Sequence, residues 1–273
     1  MSGSAGPLHL ERDGDVAVVV LDNPPVNLFD ELVFEELERI AGELVRLTEP
    51  GRDDRARAVL VEARWRHVSA GVDVGLFQEI ADGPQAVARA TALWARLLRA
   101  AQTVEELPVP TVFAAHGLTL TAAFELSLAC DILLAAESAS FGLVEMVVGL
   151  TPSMGGPQRL AERAGPARAK ELVFTGERYP AAVLERWNVV NRVLPDDGFA
   201  AAARSYAHRV AAGPTLAHAA TKRLVTTAVR DGVRAADDVT PAVSGTLFGT
   251  ADLRGAVASF LTDGPGKATY SGR

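Results

Sequence analysis

Two glutamates and two small-residue turns are the parts of this sequence whose types and spacing could do chemistry. Glu125 ends the first part of VFAAHGLTLTAAFELSLACD, Val112 to Asp131, where an apolar run meets a glycine turn at His116-Gly117 and passes into a helix start at Thr121-Ala122-Ala123. A strand that feeds a helix N-terminus leaves backbone N–H groups without intrahelical partners, which favours negative charge there. The small side chains of Ala122 and Ala123 let a substrate oxygen approach those donors, and a carboxylate one turn further on can move a proton beside it. Gly71, within RHVSAGVD (Arg66 to Asp73), exposes a second donor, the N–H of Val72. Glu145 lies beyond a short strand in SFGLVEMVVGLTPSMGGPQRL, Ser140 to Leu160. Twenty positions separate the two glutamates, and they sit on different elements, so only tertiary folding can bring them together. Taken singly, each feature also has a plain reading: a tight turn, a glutamate complementing the positive end of its helix, or an exposed loop charge.

The elements that must position these groups follow from pattern and punctuation. Leu8 to Glu11 and Val16 to Leu21, joined by Asp13-Gly14-Asp15, predict a hairpin whose second strand is buried. Asp30 caps a helix in which Val33, Leu37, Ile40, Leu44 and Leu47 recur at helical spacing until Pro50-Gly51. Arg57 to Ala63 predicts a strand, Arg64 to Gly75 a loop, and Asp73 the cap of a short helix through Leu76 and Phe77. A long helix runs from Gly83-Pro84 to about Glu106, and Pro108 and Pro110 stop it. Strands at Thr111 to Ala115 and Cys130 to Ala135 then alternate with helices in the manner of parallel crossover units, which is an α/β pattern.

Composition narrows the partners. The chain has 273 residues, 48% of them hydrophobic, and a formal charge of −7, which argues against general binding to nucleic acid or an anionic membrane surface. Cys130 is the only cysteine, so an intramolecular disulfide and a cysteine metal cluster are excluded, in keeping with a reducing cytoplasm. No basic start precedes an apolar signal core, no apolar run is long enough to span a bilayer, and the first six residues read as a loose tail. The five histidines lack metal-ligand spacing, so no metal is expected, and His67 and His116 read as structural rather than catalytic.

Five pieces together resemble the crotonase family, also called the enoyl-CoA hydratase/isomerase family: LDNPPVN, HVSAGVDV, HGLTLTAAFEL with CDILLAAESASFG, VEMVVGLTPSMGGPQRL, and the ending ATKRL, DLRGAVASFL and YSGR. The resemblance covers nearly the whole chain. It implies a spiral of ββα units over residues 1–195, with two roughly perpendicular sheets, and a helical part over 196–273 that takes part in trimer contacts, trimers commonly pairing into hexamers. It further implies an acyl-coenzyme A thioester substrate, with coenzyme A as part of that substrate and no separate cofactor. The N–H groups of Val72 and Ala122 match the family's donors to the thioester carbonyl, and Glu125 and Glu145 match the two glutamates that hydratases use around one water. Ala70, Asp73, Val74, Phe77, Leu118 and Leu150 are the expected substrate contacts, with Trp94, Leu97, Phe124 and Met146 as further apolar candidates. Lys222 and Lys267 could approach the nucleotide, although solvated charge is their default reading.

The departures from the pattern are specific. Thr121-Ala122-Ala123 stands where the family usually has three glycines or near-glycines, Val72 where alanine is common, and His116 where asparagine is common. They point to a specialised substrate. The expected reaction is hydration of a 2-enoyl-CoA to a 3-hydroxyacyl-CoA. The same oxyanion hole could support double-bond isomerisation, decarboxylation or thioester hydrolysis, and a catalytically weak acyl-CoA-binding subunit is the non-enzymatic alternative.

Overall fold

Apolar strands alternating with amphipathic helices assemble a six-stranded main sheet. The computed structural model describes residues 6–273, so the loose tail expected over the first six residues lies, Gly6 apart, outside the described residues. β1 (Leu8–Asp13) and β2 (Val16–Leu21) form the hairpin, Leu8 opposite Leu21 and Asp13 opposite Val16. The sheet continues in parallel through β3 (Ala58–Ala63), β4 (Thr111–Ala115), β6 (Ile132–Ala136) and β9 (Arg192–Leu194). All of β2 is buried, and both α1 (Glu31–Leu47) and α8 (Phe199–Ala211) pack against it. A strand covered on both faces carries a continuous apolar run, which is what VAVVVL is.

Helix α1 starts where Asp30 accepts a hydrogen bond from the Val33 N–H, 2.9 Å, and buries Val33, Phe34, Leu37, Ile40, Ala41 and Leu44. Asp73 caps α2 (Val74–Asp82) through the Gly75 N–H. The long helix α3 (Ala86–Glu106) packs on α1, α2 and α4 (Ala122–Ala129). All eight residues of α4 are buried, so the helix has no polar face and presents no amphipathic period in the sequence.

A second sheet of three strands begins directly after the His116-Gly117 turn. In it β5 (Leu118–Leu120) runs parallel to β7 (Ser140–Gly142), which pairs antiparallel with β8 (Tyr179–Pro180). The sequence predicts a turn passing directly into a helix at this point. β5 intervenes because three residues are too few to show a period, and only the pairing of Leu118 with Ser140 and Leu120 with Gly142 defines them as a strand.

The remaining elements are helices α5 (Gly156–Ala164), α6 (Pro166–Thr175), α7 (Ala181–Arg186), α9 (Thr215–Asp231), α10 (Val233–Thr246) and α11 (Ala251–Asp263). Lys222 on α9 is not the solvated charge its sequence setting predicts. Its Nζ lies 2.8 Å from Asp131 Oδ2, which also accepts from the N–H and Oγ1 of Thr111. The ammonium is thereby committed to tying α9 to the start of β4. Phe248, Phe260 and Leu261 in the C-terminal part are exposed. No helix among the described residues is long and apolar enough to cross a membrane.

Candidate active site

Glu125 enters the site from α4 with only 2% of its surface exposed. Three backbone donors hold it: the Ser153 N–H reaches Oε1 at 3.2 Å, and the Met154 and Gly156 N–H groups reach Oε2 at 2.8 and 2.7 Å. Gly156 is required by close approach, since a Cβ there would lie 2.7 Å from Glu125 Cγ and 2.9 Å from Oε2. The loop carrying these donors is clamped from behind by Arg159. Its guanidinium forms a two-point ion pair with Glu105, 3.1 and 2.6 Å, and its Nη1 reaches the Gly155 carbonyl at 3.3 Å. With that carbonyl turned to Arg159, the neighbouring N–H groups face Glu125.

Glu145 approaches from the first residue of a 3-10 turn, Glu145–Val148, after β7. It too is buried, and its Oε2 has no hydrogen-bond partner. Burial pushes the Glu125 carboxyl up to about 8, helped by the charge of Glu145 and opposed by the three N–H donors. Burial likewise raises Glu145 to about 7. Two carboxyl groups lining one buried pocket favour sharing a proton, so titration belongs to the pair.

Val72 and Ala122 line the same cavity as both glutamates, with Phe34, Phe77, Trp94, Leu150, Thr151, Ser153 and Met154. The space measures about 20 Å³, room for about one water. Val72 forms a parallel bridge with Phe29 in which Phe29 donates to the Gly71 carbonyl and accepts from Asp73, so the Val72 N–H points away from Phe29. Gly71 has φ +123°, which a side-chain-bearing residue rarely adopts. The Ala122 N–H opens α4, where the first donors have no intrahelical acceptor.

Thr121 carries the strain of the missing glycine. Its φ is +50°, its side chain is buried, and its Oγ1 has no partner. A β-branched residue in this region costs about 1–3 kcal/mol, and a buried unpaired hydroxyl roughly 1–3 kcal/mol more. Thr121→Gly is therefore expected to raise stability, the gain trimmed by about 1 kcal/mol of extra chain freedom in the unfolded state. Urea midpoints of the two proteins check this; a lower midpoint for the variant would mean that the threonine is held without strain.

Of the residues singled out from the sequence, Glu125, Glu145, Val72, Ala122, Phe77, Trp94 and Leu150 meet around the cavity. Ala70, Asp73, Val74 and Leu118 lie outside its lining: Asp73 is engaged as the α2 cap, Val74 is exposed, and the Leu118 N–H donates to His67 Nδ1. Leu97 and Phe124 belong to the core, Phe124 against Phe141, while Met146 faces outward. His116 hydrogen-bonds the Trp65 carbonyl through Nε2 at 2.9 Å. Phe34, Glu105 and Arg159 escape the sequence reading. Phe34 lies in the apolar stripe of α1, and nothing in spacing links Glu105 to Arg159.

The two sheets, the buried α4 and the cavity between them make this an α/β protein of the crotonase fold. An enoyl-CoA hydratase from Bacillus anthracis superposes with a TM-score of 0.85 at 26% identity, covering 98% of this chain and 100% of that one. The family model described as enoyl-CoA hydratase/isomerase matches residues 11–266, and the chain belongs to that family. The "probable enoyl-CoA hydratase" EchA17 of Mycobacterium tuberculosis is 35% identical over 213 residues, 77% of either chain. A short-chain-enoyl-CoA hydratase of Clostridium acetobutylicum is 26% identical over 255 residues, 92% of this chain and 93% of its own.

Proposed function

We propose that the protein hydrates a short-chain 2-enoyl-CoA to the 3-hydroxyacyl-CoA, as a homo-oligomer. The observation that carries this reading is the meeting of both glutamates with the Val72 and Ala122 segments around a space for one water. The Val72 and Ala122 N–H groups donate to the thioester oxygen and stabilise it as negative charge develops; one such donor is worth about 3–4 kcal/mol of barrier elsewhere. Glu125, fixed by its three backbone donors, orients the water and takes part of its proton. Glu145, with one oxygen unpartnered, delivers the proton to Cα while the water oxygen adds to Cβ. The two new bonds, C–O and C–H, consume one water and the C=C π bond.

The working form holds one proton on the pair, with Glu145 carrying it and Glu125 ionised; because the titration belongs to the pair, this arrangement and its reverse rise and fall together with pH. Activity therefore falls in acid, where both hold protons, and in base, where neither does. With the groups raised to about 7 and about 8, kcat/KM is expected to peak between those values. A profile flat from pH 5 to about 9 would contradict this assignment.

Phe77 and Trp94, ring centroids 5.7 Å apart, stand over the cavity. This pair limits acyl length. Trp94→Ala is expected to shift preference from four-carbon toward eight-carbon enoyl thioesters by about 200-fold in kcat/KM when all four added methylenes are buried, since each is worth about 0.8 kcal/mol. Unchanged chain-length preference would place the acyl group elsewhere. The activity itself is tested by loss of the conjugated enoyl-thioester absorbance over a panel of short, branched and aromatic 2-enoyl-CoAs, with product identification. Formation of 3-hydroxyacyl-CoA supports the reading; shifted double bonds, released carboxylic acid or binding without turnover would replace it with isomerase, hydrolase or binding subunit respectively.

A further inference from the structure

At the opposite end of the main sheet from the glutamates, charge is arranged in a way the acyl-thioester site does not use. Val72 and Ala122 follow the C-terminal ends of β3 and β4, whereas Asp15, Arg55 and Arg57 precede the N-terminal ends of β2 and β3. There a cleft of about 580 Å³ is lined by Arg52, Arg55, Arg57 and Arg273, against Asp15 and Asp53 as its acidic side chains. The volume lies within the range typical of small-molecule sites, about 300–1,000 Å³. In a chain of net charge −7 this is a local reversal of sign.

Arg55 and Arg57 have different duties. Arg57 is committed to the protein: Nε donates to Thr215 Oγ1, Nη1 to the Tyr270 carbonyl and Nη2 to the Gly213 carbonyl, fixing the C-terminal segment to the sheet, and Asp15 lies 3.6 Å from Nη1. Arg55 is only 6% exposed, yet it makes a single side-chain hydrogen bond, from Nη2 to the Gly272 carbonyl at 2.8 Å. Among the described residues no carboxylate pairs with it within 4.0 Å. Its guanidinium is held below the usual arginine range by burial and then by the charge of Arg57. The charge of Asp252 opposes these effects without reaching ion-pair distance; a buried cation lacking a direct ion pair is costly, and guanidinium forks match phosphate oxygens in geometry. Arg52 and Arg273, paired on one side with Asp54 and Asp53, stand at the more exposed part of the cleft.

We propose that this cleft binds a phosphate-bearing anion at a site separate from the acyl-thioester site. Arg55 supplies the buried counter-charge, and Arg52 and Arg273 close on the phosphate oxygens from the rim. The inference is independent of the hydratase reading. It is tested by calorimetric titration of inorganic pyrophosphate into the full chain, with and without saturating free coenzyme A. Saturable one-site binding that persists with coenzyme A, weakens with added NaCl, and weakens at least tenfold in both Arg52→Gln and Arg55→Gln is the expected result. Arg52 is exposed, so its variant keeps the test informative if Arg55→Gln fails to fold. Absence of binding to the wild type, unchanged binding in Arg52→Gln, or competition by free coenzyme A would overturn the proposal.

Discussion

Glu145→Gln is expected to lower turnover about 10³-fold while making the folded protein more stable than wild type at alkaline pH. The loss follows from removing the group placed to pass a proton to Cα, since positioned general acids and bases contribute about 10²–10⁴-fold. The stability effect follows from the raised carboxyl. Folded Glu145 titrates at about 7 against an ordinary 4.5, because burial disfavours the carboxylate. The folded chain thus holds a proton that the unfolded chain releases. The resulting stability is full below the unfolded value and is lost as pH rises through the folded one. Glutamine has no proton to lose. At about 1.4 kcal/mol per pH unit, a rise from 4.5 to about 7 gives the variant roughly 3–4 kcal/mol relative to wild type at high pH and nothing in acid. Urea midpoints of both proteins in mildly acidic and alkaline buffer check this; parallel behaviour would mean that Glu145 is solvated.

Gly156→Ala should be nearly as damaging to activity, for a steric reason. The added methyl would stand 2.7 Å from Glu125 Cγ, a separation that real side chains do not adopt, so the carboxylate or the loop must shift. Either movement strains the 2.7 Å hydrogen bond from the Gly156 N–H. A misplacement of about 1 Å costs of the order of 10² in rate, and overpacking costs about 1–3 kcal/mol of stability. Gly42→Ala is the control, because a Cβ there meets nothing within 4 Å and the position lies inside α1. Turnover numbers and thermal midpoints for the two variants separate the effects. Equal activity of Gly156→Ala and wild type would show that the position of Glu125 does not govern the rate.

Local signals in the sequence carry much of the architecture. The Asp30 cap, the β1–β2 hairpin and the proline stop after α3 are each defined by neighbours in the chain, and each appears in the fold. β5 and the ion pair of Lys222 are not legible in this way, because one depends on a partner at Ser140 and the other on Asp131, both distant in sequence. The site divides along the same line. Glu125 and the Ala122 N–H share one helix start, so the sequence shows them together. The route by which Glu145 joins them runs through β7 and the pairing of β5 with it. The clamp of Glu105 on Arg159, which aims three N–H groups at Glu125, depends on packing of α3 beside α5 and leaves no trace in spacing. Thr121 is the opposite case: its departure from glycine is visible in sequence, but its φ of +50° and unpartnered hydroxyl appear only in the structure.

The central claim is that the two glutamates place one water across a C=C bond beside an oxyanion site. Its most direct test is a turnover of a four-carbon 2-enoyl-CoA in ¹⁸O-labelled deuterated water, read by mass spectrometry of the product. The expected product is a 3-hydroxyacyl-CoA carrying ¹⁸O at Cβ and deuterium at Cα, formed by wild type and reduced about 10³-fold in Glu145→Gln. An isomer or acid without ¹⁸O at Cβ, or a product formed equally fast by the variant, would contradict it.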